Sequence, residues 1–268
     1  MLCNLEPLSV RKQACLLGIS RSFFYYEPRL SDDSEIANLI KDVYLLSDCR
    51  YGYRKISASL KMEGFEINSK KVRRLMGEMG IEGLYPRRHK NTSISIKEHE
   101  KYPYLLSSLD ITSANQVWAT DITYIKLKDY FMYFVAIIDL YSRYIISYDL
   151  SHSLDLDSSL LALRKALLFG KPKIFNSDQG CQFTSNEFVS ELKSRDVMIS
   201  MDHKGRCFDN ILIERLWRTL KQEVIYYYRP EDVITLERCL EEFVPWYNNQ
   251  RLHQSLKYKT PASVYFAG

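Results

Sequence analysis

The chain reads as an α/β protein, a mixed five-stranded sheet with helices, preceded by a small helical domain. Three observations predict this. Residues 117–149 hold three period-two stretches separated by turns, residues 155–201 then alternate helix and strand, and residues 50–90 hold two short amphipathic helices. Strands followed by alternating helix and strand is an α/β order.

Taken in order, residues 1–33 look like the tail of a helical unit that begins upstream. Residues 34–90 form a helix-turn-helix-like domain. Tyr53, Ile56 and Leu60 line its first basic helix, which Gly64 ends. The second starts at Asn68 or Ser69, carries Val72, Leu75, Met76 and Met79 as its apolar stripe, and stops at Gly80. Lys70, Arg73 and Arg74, with Lys71 beside them, lie away from that stripe. Residues 91–112, polar with Pro103, are expected to be a linker. The core spans 113–228: strands at 117–125, 131–138 and 144–149, a helix at about 155–169, and a strand at 173–177. A helix at about 185–194 follows, with Thr184 and Glu187 as its capping box, then a strand at 197–201. The last core helix starts near Asp209 or Asn210. Residues 202–208 read as a loop beside it. A C-terminal extension, 229–268, holds one more helix on Leu236, Leu240, Phe243, Val244 and Tyr247, which Pro245 is able to kink.

Three carboxylates stand out by context. Asp121 lies mid-strand in Trp118-Ala119-Thr120-Asp121-Ile122-Thr123-Tyr124, on a face of small and apolar residues where an unpaired charge is costly. Asp178 ends the strand in Asn176-Ser177-Asp178-Gln179-Gly180, where α/β sheets tend to place ligands. Glu214 follows after 35 intervening residues, in a helix whose apolar stripe is Ile213, Leu216, Leu220 and Val224. Glu214, Trp217, Arg218 and Lys221 fall on a neighbouring face, and the two cations there suit a phosphate backbone. Converging carboxylates repel one another. A hard divalent cation reverses that repulsion, and two ions can manage an in-line phosphodiester displacement. Asp139, between two strands in Ile138-Asp139-Leu140-Tyr141-Ser142-Arg143, is assigned instead to turn chemistry.

These blocks resemble those of DDE transposases and retroviral integrases, most nearly the second-frame product of frameshifting insertion sequences. The likeness includes Tyr51-Gly52-Tyr53-Arg54-Lys55-Ile56, Ser177-Asp178-Gln179-Gly180-Cys181-Gln182-Phe183-Thr184-Ser185 and Lys204-Gly205-Arg206-Cys207-Phe208-Asp209-Asn210. It continues through Glu214-Arg215-Leu216-Trp217-Arg218-Thr219-Leu220-Lys221 and Tyr247-Asn248-Asn249-Gln250-Arg251-Leu252-His253. Ala114 stands where the family commonly has Pro, and Phe183 where Tyr is frequent. The resemblance implies a ribonuclease-H-like core with Asp121, Asp178 and Glu214 as catalytic residues holding two Mg²⁺ or Mn²⁺ ions. It implies cleavage at element ends and joining to target DNA. Lys70, Lys71, Arg73, Arg74, Arg218 and Lys221 are the expected DNA contacts. The implied partners are DNA, further copies of the chain and a first-frame polypeptide fused upstream, in the bacterial cytoplasm with the nucleoid. Arg251 and His253 match family positions and receive no role.

Composition agrees. The chain has 268 residues, 46% hydrophobic and 26% charged, with no apolar run long enough to span a membrane and no signal-peptide start. Six scattered cysteines and five histidines lack zinc spacing, which fits free thiols in a reducing cytosol. Net charge is +4, but residues 50–90 hold 11 Lys and Arg against 4 Asp and Glu, a concentration that fits nucleic acid. Two rivals differ in kind. A tyrosine recombinase is suggested by His203-Lys204-Gly205-Arg206 but leaves the acidic blocks unexplained. A non-catalytic DNA-binding regulator of transposition needs no metal.

Overall fold

The computed structural model describes residues 9–23, 25, 33–84, 102–107, 109–202 and 211–267. After a short helix α1 (Val10–Leu16), three helices form the N-terminal domain: α2 (Ser34–Leu46), α3 (Tyr53–Met62) and α4 (Ser69–Glu78). The α2 helix was not anticipated. Ile40 and Val43 of α2 meet Ile56 and Leu60 of α3 and Val72, Leu75 and Met76 of α4, all buried in one apolar cluster. Asn68 is the cap of α4, its side chain accepting from the Lys70 N–H at 2.9 Å. Gly64 and Gly80 take positive φ of 92° and 66° at the two helix ends, where a side chain would be strained.

The larger unit is built on β1 (Val117–Lys126), β2 (Phe131–Asp139), β3 (Ile145–Ser151), β4 (Ile174–Ser177) and β5 (Met198–Met201), in the order β3-β2-β1-β4-β5. The first three strands pair antiparallel; β4 joins β1, and β5 joins β4, in parallel. Helices α5 (Leu156–Phe169) and α6 (Asn186–Lys193) cover one face through Leu163, Ala166, Phe188 and Leu192. The other face is covered by α7 (Ile211–Leu220) and α9 (Val233–Asn249). All four residues of the α7 stripe, Ile213, Leu216, Leu220 and Val224, are buried there.

Two local expectations change, at the cap of α6 and at the end of the Glu214 helix, and two further details are added. Ser185, not Thr184, caps α6 and accepts from the Phe188 N–H at 3.2 Å. The Thr184 hydroxyl donates instead to the Gly180 carbonyl at 3.1 Å. The helix of Glu214 does not run on regularly: Lys221–Ile225 form a π turn, followed by the short α8 (Tyr226–Tyr228). Within the expected linker, Leu105, Leu106, Leu109 and Ile111 pack against the core. Pro245 sits inside α9 without ending it. The loop at 203–208, the start of the Glu214 helix and the His203–Arg206 pattern lie outside the described residues.

Two buried polar side chains tie the unit together. Asp139 is fully buried in its turn, accepting from the Ser142 N–H at 2.7 Å, the Ser142 hydroxyl at 2.6 Å and the Asn115 N–H at 2.8 Å. Its turn role holds. The Asn248 amide on α9 bonds both the N–H (2.9 Å) and the carbonyl (3.0 Å) of Ile145, docking α9 on the edge strand β3. Asn248→Ala leaves both backbone groups buried and unpaired, so it is expected to cost about 2–4 kcal/mol of stability. Urea denaturation checks this, and a loss below about 1 kcal/mol contradicts it.

Candidate active site

The register of the central strands brings the two aspartates together. β1 and β4 pair in parallel from Val117 with Ile174 to Ala119 with Asn176. Asp121, still within β1, and Asp178, just past the end of β4, each lie two residues beyond that last pair, and the charge of Asp178 is felt at Asp121. The Asp121 carboxylate is held from both sides. Its Oδ1 accepts from the Ile122 N–H at 2.8 Å, and its Oδ2 accepts from the Trp217 indole N–H at 2.8 Å. Trp217 is buried, its ring edge-on to Phe134 at 5.7 Å. It thus belongs to the inner side of α7 rather than to an outer face with Arg218. Sequence reasoning missed its role, although the indole N–H of a buried Trp ordinarily has a partner.

Asp178 folds back on its own turn, its Oδ1 accepting from the Gly180 N–H at 2.9 Å. A Cβ on residue 180 would stand 2.9 Å from that same oxygen, so the close approach needs glycine. Glu214 lies in the first described turn of α7 and is exposed. Its charge and that of Asp178 both reach Asp121. Burial, followed by these two anions, pushes the Asp121 carboxyl up from 3.8 to about 7 against the lowering effect of the Trp217 and Ile122 donors. Burial raises Asp178 as well.

The donor set is oxygen only, which fits a hard divalent cation, and such an ion would cancel the repulsion recorded at Asp121. As the side chains stand, no three His, Cys, Asp or Glu among the described residues are grouped tightly enough to hold one ion. Glu214 is the exposed acid of the three.

Of the expected DNA contacts, Lys221 lies nearest the acids. It is partly buried, with its Nζ 4.9 Å from the Tyr124 ring centroid, and burial lowers its pKa while Asp121 opposes that shift. Arg218 is exposed one turn from Glu214. On α4, Lys70 is exposed and Arg73 lies over the Tyr53 ring at 5.6 Å. Lys71 and Arg74 both pair with Asp33, at 2.6 and 2.5 Å, and Arg74 also pairs with Glu78 at 2.7 Å. The four cations therefore do not form one uncommitted face.

A mixed sheet with acids at its opened centre, behind a three-helix domain, defines the integrase-core class of protein. Residues 111–207 and 195–261 match the family described as Integrase core domain, and residues 31–89 match the HTH-like domain family. The chain is 31% identical to the putative transposase InsK of insertion sequence IS150 from Escherichia coli K12, over 91% of this chain and 88% of that one. It is also 31% identical to the transposase of IS904 from Lactococcus lactis, over 84% and 91% respectively. It belongs to the insertion-sequence transposases. In fold it resembles the simian T-cell lymphotropic virus intasome, solved in complex with a PP2A regulatory subunit (TM-score 0.52, 17% identity, 85% of this chain and 74% of that one).

The raised Asp121 pKa sets the sign of a pH dependence. Between pH 3.8 and about 7 the folded, metal-free chain keeps a proton that the unfolded chain has released. Stability from this group is therefore lost as pH rises through that window, and Asp178 acts in the same direction. Thermal melts in EDTA at pH 5 and pH 8 are expected to show a smaller drop for Asp121→Asn than for the parent chain. Parallel drops contradict the assignment.

Proposed function

We propose that this chain cleaves and joins DNA as a DDE transposase, with Asp121, Asp178 and Glu214 as its catalytic residues. The observation that carries the reading is the convergence of charge on Asp121: it lies on β1 beside the end of its parallel partner β4, and the charges of Asp178 and Glu214 both reach it. Two Mg²⁺ or Mn²⁺ ions held by these acids would activate the attacking oxygen and offset charge building on the leaving one. The Ile122 and Trp217 N–H groups fix the Asp121 carboxylate, and the Gly180 N–H fixes that of Asp178, so both acids are oriented before substrate arrives. Lys221 and Arg218 meet the phosphates beside the scissile bond. Water attacks at the element end, and the freed 3′-hydroxyl then attacks target DNA, with no covalent protein intermediate.

Asp121→Asn, Asp178→Asn and Glu214→Gln are each expected to abolish magnesium-dependent cleavage and joining while duplex binding persists. Near-normal joining by any of them removes that residue from the set. A parent chain that binds element ends but never joins them is the DNA-binding regulator instead.

The HTH-like domain is proposed to grip the duplex through α4. Because Arg74 also anchors α4 to Asp33, the informative substitution is Lys70→Ala with Arg73→Ala. Each lost phosphate contact should flatten the dependence of log affinity on log salt by about 0.9. An unchanged slope in band-shift titrations makes this face merely solvated. Oligomerisation on DNA and fusion to a first-frame polypeptide complete the proposal. Stronger end preference in the fused form, at matched salt, is the result expected.

A further inference from the structure

Two motifs at opposite ends of the chain, Tyr51–Ile56 and Tyr247–His253, have no part in the chemistry above, yet they meet. The Tyr51 hydroxyl on the helical domain donates to the Gln250 carbonyl at 3.3 Å and accepts from the Leu252 N–H at 3.1 Å. Between the motifs stands Glu223, in the π turn that continues α7. Arg251 grips it with both arms of its guanidinium, at 2.6 and 2.9 Å, and Lys55 of α3 lies 3.9 Å away. All three side chains are largely out of solvent. A second tie runs beside the first: the Arg50 guanidinium lies 4.3 Å from the Trp246 ring centroid and donates to the Tyr228 hydroxyl at 2.9 Å.

We propose that Glu223 is a positioning residue, clamped by Arg251 and Lys55 so that the helical domain fixes the helix that presents Glu214, Trp217 and Lys221. The inference rests on reading α7 as the catalytic helix. A buried ion pair contributes little net stability but is costly to break on one side, so it sets one arrangement more than it adds strength. The forked Arg251 geometry fixes direction as well as distance. The grip acts at the π turn, where Glu223 meets Arg251 while Val224 and Ile225 are buried. Seated duplex DNA would thereby be felt at the acids through a single rigid helix.

Two substitutions in the full chain test this: Lys55→Met, which leaves the Glu223–Arg251 pair in place, and Arg251→Lys, which keeps the charge but loses the fork. Hydrogen exchange is followed in peptides covering 211–218, upstream of Glu223, with 131–151 as the internal reference. Both variants are expected to exchange several-fold faster in 211–218 only. Magnesium-dependent joining of a pre-cut end should lose kcat on the order of ten- to a hundredfold, with the KM for DNA unchanged. Unaltered exchange in 211–218, loosening of every peptide together, or a loss confined to KM each overturns the proposal, the last by making Lys55 a DNA contact. A parent chain with no joining activity, equal to Asp121→Asn, overturns the catalytic reading alone, because the exchange measurement still decides the clamp.

Discussion

A carboxylate set among apolar residues on a central strand imposes the strongest demand on this molecule. Asp121 is partly buried between β2 and the opening beside β4, with two other acids in reach, so its charge is opposed by burial and by like charge together. The protein offsets only part of that cost and fixes the geometry of the group. One N–H from the strand itself and one from Trp217 hold the two oxygens, and neither donor carries a formal charge that would neutralise the group. A site that is uncomfortable when empty is one in which a cation has most to gain.

That demand explains why α7 must be placed so firmly. The helix brings the indole that orients Asp121, the acid Glu214 and the cation Lys221, so a small displacement disturbs all three. Ile213, Leu216 and Leu220 fasten it to the same cluster that holds Phe134, Phe243 and Tyr247. α9 in turn is fastened to the sheet edge by Asn248. What stands as a C-terminal extension in the sequence is, in packing terms, part of the catalytic unit. Trp246 touches this core and also the apolar cluster of the helical domain, so the two units share a wall.

Charge is used differently in the two halves. In the helical domain, Lys71 and Arg74 spend their charges on Asp33, joining α4 to the start of α2. Their cationic ends stay partly exposed although Asp33 is largely covered, and pairs reaching solvent in this way are weak individually and screened by salt. Near α7 the charges are withdrawn from water, and their pairing is directional. Burial holds His253 down at about 2, which keeps it neutral beside Arg251. Such a cluster is suited to fixing an orientation, whereas a solvated patch is suited to meeting phosphates.

Local pattern determined most of the architecture. Period-two runs placed β1, β2 and β3 within a residue or two, because side-chain alternation follows directly from a sheet with distinct faces. The apolar stripes of α3, α4, α7 and α9 were legible for the same reason at helical period. The acids Asp121, Asp178 and Glu214 were legible as candidates from their unusual settings, and Asp139 was separable from them by its turn. Tertiary structure alone decided how the acids stand: the parallel register that sets Asp121 beside the end of β4, the indole that grips Asp121 and the glycine that lets Asp178 fold back. It also decided the π turn after α7, the cap at Ser185, the pairing of Lys71 and Arg74 with Asp33, and the junction of Tyr51 with Gln250 and Leu252. These depend on partners far apart in the chain or on which of two neighbouring hydroxyls meets the first helix N–H groups. No local period encodes either, because the energy of a contact is set by where the backbone brings two groups, not by their separation in sequence.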